Sequence, residues 1–194
     1  MYYTTVRDLV VFVKARGLGK EDDKAMLTKA SQRMGGTLVS PDTIVKIENI
    51  ELQVSYNPYV QLFTRTLGGI AVVLNGTNEV YVDNNFRNMT GNAQYATLCH
   101  ETGHIIYNHR ADYGYAFKRL KAVYIDHTVL QMELEADEYA AVIVGPNRMI
   151  SALYELGMID GICKREVVYR IRSLKNNYDD LMDKHNHHSS NSPK

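Results

Sequence analysis

Apolar residues recur with one spacing in some segments of the chain and with another in others, and these two spacings predict where the strands and helices lie. The segment IELQVSY, Ile50–Tyr56, alternates apolar and polar residues with a period of two, as a strand with one buried face does. Two segments that read as strands, IAVVL at 70–74 and EVYVD at 79–83, flank Asn75-Gly76, a dipeptide typical of tight hairpin turns. We therefore expect a small, mostly antiparallel sheet in the first half of the chain.

Helical periodicity surrounds these strands. It predicts N-terminal helices at 4–16 and 22–34, a helix from the Asn88–Gly91 cluster to about His109, a long helix at 128–144 ended by Gly145-Pro146, and helices at 147–156 and 165–181. The order of elements predicts an α+β fold with helices packed on a small sheet.

No linker composition or internal repeat divides the chain, so we expect residues 1–180 to form one domain. Its parts are N-terminal helices in 1–36, a core in 50–145 and C-terminal helices in 147–180. The polar segment 181–194 lacks periodicity, and we expect it to be disordered.

Composition adds the expectation of an ordinary globular protein. Of 194 residues, 45% are apolar, and 22 basic residues balance 22 acidic ones, which argues weakly against direct nucleic-acid binding. An apolar run near the N-terminus, Leu9–Val13, is too short for a signal-peptide core. No stretch approaches the roughly 20 apolar residues of a membrane span. We expect a soluble, cytoplasmic protein with no membrane contact.

Candidate chemistry begins with HETGH at 100–104, which matches the H-E-x-x-H pattern of metalloproteases. On a helix, positions i and i+4 lie about 40° apart, so His100 and His104 can grip one ion from one face. Glu101 lies about 100° round from His100, where it can take a proton from an attacking water without binding the ion. The alternative is an amphipathic helix with incidental histidines.

A third ligand is predicted in QMELEADEYAAVIVGP, residues 131–146. Glu133 and Asp137 are again four residues apart, so Glu133 can complete the site while Asp137 orients a ligand histidine through its outer nitrogen. Glu135 should point to solvent. It becomes the candidate ligand only if the helix faces the other way. Small residues (Ala136, Ala140 and Ala141) would let the two helices approach closely. The alternative is an exposed acidic helix face.

Several neighbouring residues have simpler interpretations. His109 lies about 180° round from His100 on a continuing helix, so it should pack or form hydrogen bonds rather than bind the ion. Cys99 is expected to be a small buried apolar residue. Tyr124 and His127 are candidate oxyanion donors, although solvated loop residues are the simpler interpretation. The strand at 79–83 is expected at a sheet edge, where an extended substrate can pair with it.

The two segments together resemble the ImmA/IrrE family of gluzincin-like zinc metallopeptidases. The resemblance runs through EVYVDNN, ATLCHETGHIIYNH and MELEADEYAAVIVGP and covers roughly residues 50–174. It implies a zincin-like fold, an active-site HExxH helix and a following helix that carries the glutamate ligand. It also implies one Zn²⁺ per chain held by His100, His104 and Glu133, with Glu101 as general base. Cys99, Tyr139 and VIVGP depart from the family pattern.

The resemblance further implies a substrate class: a helix-turn-helix repressor that controls a phage or an integrative element. Two other functions stay open at this point. The first is a non-proteolytic, zinc-containing regulator that binds and inactivates a repressor, and the second is a member of a toxin–antitoxin pair. An intact Glu101 argues against a purely structural zinc site, because such a site has no use for a general base. The sequence indicates neither the cleavage site nor the oligomeric state.

Overall fold

A computed structural model describes residues 43–56, 70–73, 77–109 and 127–191. The elements in these ranges are β1 (Thr43–Ile47), β2 (Ile50–Tyr56), β3 (Ala71–Val73), β4 (Glu79–Val82), α1 (Asn84–Asn88), α2 (Gly91–Ile106), α3 (His127–Val144), α4 (Pro146–Gly157), α5 (Lys164–Asn176) and α6 (Tyr178–Asn191). The α+β class is confirmed. The helices predicted at 4–16 and 22–34, and the Asn75-Gly76 turn, lie outside the described residues.

The strands form one mixed sheet in the order β1-β2-β4-β3. β1 pairs with β2 and β3 with β4 in antiparallel fashion, whereas β2 and β4 are parallel. The expectation that the strand at 79–83 lies at an edge is wrong, because β4 is hydrogen-bonded on both sides. Among the described strands, the edge next to β4 is β3. Val80 and Val82 of β4 are buried against the helices, and the sheet supports α2 from one side.

Side-chain caps fix the start of the first two helices after the sheet, α1 and α2. The Asp83 carboxylate, fully buried at the end of β4, accepts from the backbone N–H groups of Asn85 (2.8 Å) and Phe86 (3.1 Å) and so begins α1. The Thr90 hydroxyl accepts from the backbone N–H of Ala93 and begins α2. Gly145, at φ 90°, separates α3 from α4, whose first residue is Pro146.

The two helices that carry the candidate chemistry, α2 and α3, meet at Gly103 and Ala136. A Cβ atom on Gly103 would lie 2.9 Å from the Ala136 Cα, which is closer than real Cβ contacts. The buried faces of Ala140 and Ala141 continue the contact along α3. The expected close approach of small residues is therefore present, and it sets His100 and His104 directly opposite the acidic residues of α3.

The C-terminal part differs from the prediction in two ways. The helix predicted at 165–181 is two helices, α5 and α6, separated at Asn177. The segment 181–191, expected to be disordered, is helical and packs back on α3. Leu181 is buried, the His185 ring lies 2.8 Å from the Val142 carbonyl oxygen, and His188 pairs with Glu48 at 2.9 Å. These contacts to distant residues stabilise a helix that local composition does not predict. No helix in the described ranges combines the length and apolarity that crossing a membrane requires.

Candidate metal centre

Three side chains from α2 and α3 converge on one point. The Nε2 atoms of His100 and His104 lie 3.0 Å apart. The Glu133 carboxylate faces both rings, with Oε2 3.5 Å from His100 Nε2 and Oε1 3.9 Å from His104 Nε2. All the potential ligand atoms lie within 4.8 Å of one another. This buried His-His-Glu group can hold a metal ion.

The spacing of these atoms fits a small tetrahedral ion. Ligand atoms about 2.05 Å from an ion at tetrahedral angles are separated from each other by about 3.3 Å. The two nitrogens are 3.0 Å apart, and each lies 3.5 or 3.9 Å from a different oxygen of the Glu133 carboxylate, so all three distances are close to that value. Two imidazole nitrogens and one carboxylate oxygen leave a fourth position for water or substrate, as catalytic sites do.

Glu101 is buried next to these groups, with 7% of its surface exposed. Burial raises the pKa of its carboxyl group to about 7; the positive charge of His100 opposes the shift and the charge of Glu133 adds to it. A backbone hydrogen bond with Val73 also favours the charged form. Glu101 thus lies between the candidate metal group and the edge strand β3, and its proton affinity suits proton transfer near neutral pH.

On the His100 side, the outer nitrogen is held by a buried ionic cluster. His100 Nδ1 lies 2.8 Å from Asp137 Oδ1, the contact that the sequence predicts for Asp137. Arg170 of α5 donates to both oxygens of Asp137, at 2.7 Å from Nε and 2.6 Å from Nη2. Its Nη1 donates to Glu133 Oε2 at 2.9 Å. One guanidinium therefore fixes the two carboxylates that face the histidines.

On the His104 side, the outer nitrogen meets another histidine. His104 Nδ1 and His109 Nδ1 are 3.0 Å apart, and His109 Nε2 lies 2.9 Å from Glu135 Oε2. The Gln131 amide donates to the other oxygen of Glu135. Glu135 is partly solvated, as expected, with 42% of its side chain exposed, but it is also bonded to His109, which the sequence does not predict.

A break in α2 creates this contact. The helix ends at Ile106 instead of continuing to His109, and Asn108 adopts the left-handed conformation at φ 52°. The backbone N–H of His109 then donates to the His104 carbonyl at 2.9 Å. The chain reversal returns the His109 ring to the ring of His104, which a continuing helix would not allow.

The two histidines of the candidate group have opposite proton affinities in the metal-free protein. Burial alone would lower the pKa of His100, but the hydrogen bonds with Asp137 and Glu133 outweigh burial and raise it to about 9. Burial, followed by the charge of His100, lowers the pKa of His104 to about 3. Near neutral pH His100 is therefore protonated on both ring nitrogens, whereas His104 is a neutral imidazole with a single N–H.

Sequence reasoning missed Arg170, although α5 contains a signal for it. Val167, Ile171 and Leu174 are buried at helical spacing, and Arg170 lies on the same face. An arginine among such apolar positions indicates a buried ion pair. Cys99 is buried, as expected. Tyr124 and the side chain of His127 lie outside the described part of the chain.

No protein-family model matches the chain, and no curated protein or solved structure is significantly similar to it. The interpretation of this site therefore rests on its own geometry.

Proposed function

We propose that the protein is a zinc-dependent endopeptidase of the ImmA/IrrE type, with His100, His104 and Glu133 as metal ligands and Glu101 as general base. The observation that carries the proposal is the convergence of those three ligands beside a buried carboxyl group with a pKa of about 7. A structural metal site closes its coordination with protein ligands and needs no adjacent base.

Zinc is the ion that this donor set favours. Two imidazoles and one carboxylate form the ligand set of several zinc hydrolases, whereas Mg²⁺ and Ca²⁺ prefer sites built of oxygen ligands. A bound zinc ion supplies a Lewis acid that polarises the scissile carbonyl and acidifies the attacking water.

The side chains of the protein move the proton and hold the site. Glu101 accepts the proton of the attacking water and delivers it to the nitrogen of the leaving amine, so that the carboxylate is regenerated. Asp137 and Arg170 hold His100 and Glu133 in place. Among the described strands, β3 lies at the edge of the sheet beside Glu101, and an extended peptide would pair with the sheet along this strand.

The substrate class follows from the family resemblance alone. We propose a helix-turn-helix repressor of a phage or an integrative element. No residue of this chain specifies that substrate. The two motifs that carry the resemblance are the two segments that form the candidate metal centre.

The decisive experiment compares wild type with Glu101→Gln. The amide preserves size but cannot accept the proton, so zinc content and melting temperature should stay near the wild-type values while cleavage is lost. Purified protein is incubated with the repressor encoded beside it, with and without a chelator, and products are identified by mass spectrometry. A separate comparison tests the metal ligands: His104→Ala should lose bound zinc relative to wild type, with the histidines at 185, 187 and 188 replaced in both of these proteins.

Two outcomes distinguish the alternatives. Retained repressor inactivation by Glu101→Gln in cells would indicate a non-proteolytic regulator that uses zinc structurally. Equal zinc content in wild type and His104→Ala would overturn the metal assignment itself. If zinc-loaded wild type leaves the repressor intact but cleaves another protein, the peptidase activity is retained and only the proposed substrate is rejected.

A further inference from the structure

The second candidate ligand, His104, is held by residues that are not themselves candidate ligands. His109 lies against its outer nitrogen, and Glu135 lies against the far nitrogen of His109. Both distances, 3.0 and 2.9 Å, are those of good hydrogen bonds. The pair thus forms a continuous chain from the candidate ligand to the surface of α3.

The direction of each hydrogen bond follows from metal binding. A neutral imidazole that binds an ion through Nε2 carries its proton on Nδ1. His104 Nδ1 must then donate, and His109 Nδ1 must accept. His109 consequently carries its own proton on Nε2, where it faces the Glu135 carboxylate as donor. One arrangement of protons therefore satisfies all three groups, and it requires a neutral His109.

His109 is itself fixed in orientation. Its backbone N–H is bonded to the His104 carbonyl, and Tyr107 stacks on its ring with centroids 5.5 Å apart. Glu135 is fixed in turn, because the Gln131 amide, 2.9 Å away, donates to its second oxygen. A ring held by contacts on three sides can hold the ring of His104 at the angle that metal binding needs.

We propose that His109 and Glu135 are positioning residues that orient His104 for metal binding and increase its basicity through the hydrogen-bonded chain. This inference rests on the metal group of the proposed function, and it assigns roles to two residues outside that group. Partners of this kind affect metal affinity about 10–100-fold when removed.

The test measures zinc affinity by chelator competition, independently of proteolysis. His109→Phe keeps a ring but removes the acceptor, and should weaken zinc binding about 10–100-fold. Glu135→Gln should cause a smaller loss. Once His109 is Phe, Glu135→Gln should have no additional effect, because the chain is already broken. Glu138→Gln is the matched control, since Glu138 lies on the same helix and bonds to Asn177.

A conservative variant separates positioning from packing. The side-chain carbonyl of Asn reaches the position of a histidine Nδ1, so His109→Asn should recover much of the affinity lost in His109→Phe. Nitrogen NMR of zinc-loaded wild type should show His109 neutral, with its proton on Nε2. Wild-type affinity in both His109 variants, or a protonated His109, would overturn the inference and leave the proposed function intact. Failure of wild type to bind zinc would overturn both.

Discussion

His100 and His104 lie one turn apart on α2, yet their outer nitrogens are held by different means. His100 is bonded to a charged cluster, Asp137 with Arg170, that is almost completely buried. His104 is bonded to a second imidazole ring, that of His109, which leads to a partly exposed carboxylate. The first arrangement links three helices and contributes to the fold, whereas the second is local and touches the surface.

This difference indicates which residues can be changed without unfolding the protein. Removing a member of a buried ion cluster leaves an unpaired charge in a medium that solvates it poorly. Removing Glu135 leaves His109 near water, which can replace the lost acceptor. We therefore expect changes in the His100 cluster to affect stability and metal affinity together, and changes beyond His104 to affect metal affinity alone.

Arg170→Met should have the largest effect of the changes considered. It leaves Asp137 and Glu133 without their shared cation, and breaking a buried pair in this way costs about 3–5 kcal/mol of the free energy of unfolding. Urea denaturation of the metal-free protein measures the loss. Saturating zinc should reduce it, because the ion places a new positive charge against Glu133.

Arg172→Met is the matched control, since Arg172 lies on the exposed face of the same helix. Equal unfolding free energies for the two variants would contradict the central role of Arg170. Both histidines would then be held by contacts that can be replaced locally.

The sequence predicts the candidate metal group because its information is local. Both ligand pairs are spaced four residues apart on strongly periodic helices, and that spacing alone puts His100 beside His104 and Glu133 beside Asp137. The strands Ile50–Tyr56 and Glu79–Val82 were predictable for the same reason. Family resemblance was not needed for either prediction.

The parts that could not be predicted depend on distant contacts or on a single dihedral angle. Arg170 is 33 residues from Asp137, and periodicity cannot pair α5 with α3. The contact of His109 with His104 depends on a left-handed Asn108, which local composition permits but does not require. α6 is polar throughout most of its length, and it is ordered by contacts with α3 and the β1–β2 turn.

Asp137→Ala should have the next largest effect. His100 then loses the acceptor that fixes its ring, and zinc affinity should fall by about 10–100-fold. Where a cleavage assay exists, the activity of Asp137→Ala should recover in part when zinc is added in excess. Chelator competition measures the affinity. Asp137→Asn accompanies it, because this variant retains an acceptor oxygen and disturbs packing less.

Glu138→Ala serves as the control for Asp137, since Glu135 contacts His109 and is no longer a neutral reference. Zinc affinity that falls more in Glu135→Ala than in Asp137→Ala would contradict this expectation. The partly exposed contacts of His104 would then matter more for zinc binding than the buried contacts of His100.

A pH dependence of zinc affinity should also arise, and it should come from the His100 side alone. His100 in the metal-free protein has a pKa raised to about 9, so it holds a proton at neutral pH that zinc must displace. His104, with a pKa lowered to about 3, is already a neutral imidazole and has no second proton for zinc to displace. Zinc affinity should therefore rise about tenfold per pH unit between pH 6 and 8, because one proton leaves per ion bound, and it should level off near pH 9.

Zinc buffers corrected for their own protonation measure the slope of zinc affinity against pH. Asp137→Asn should flatten it, since it removes the carboxylate that keeps His100 protonated, whereas Glu135→Gln should leave it unchanged. A flat profile in wild type would mean that His100 is neutral before the ion binds, and the electrostatic difference between the two histidines would then disappear.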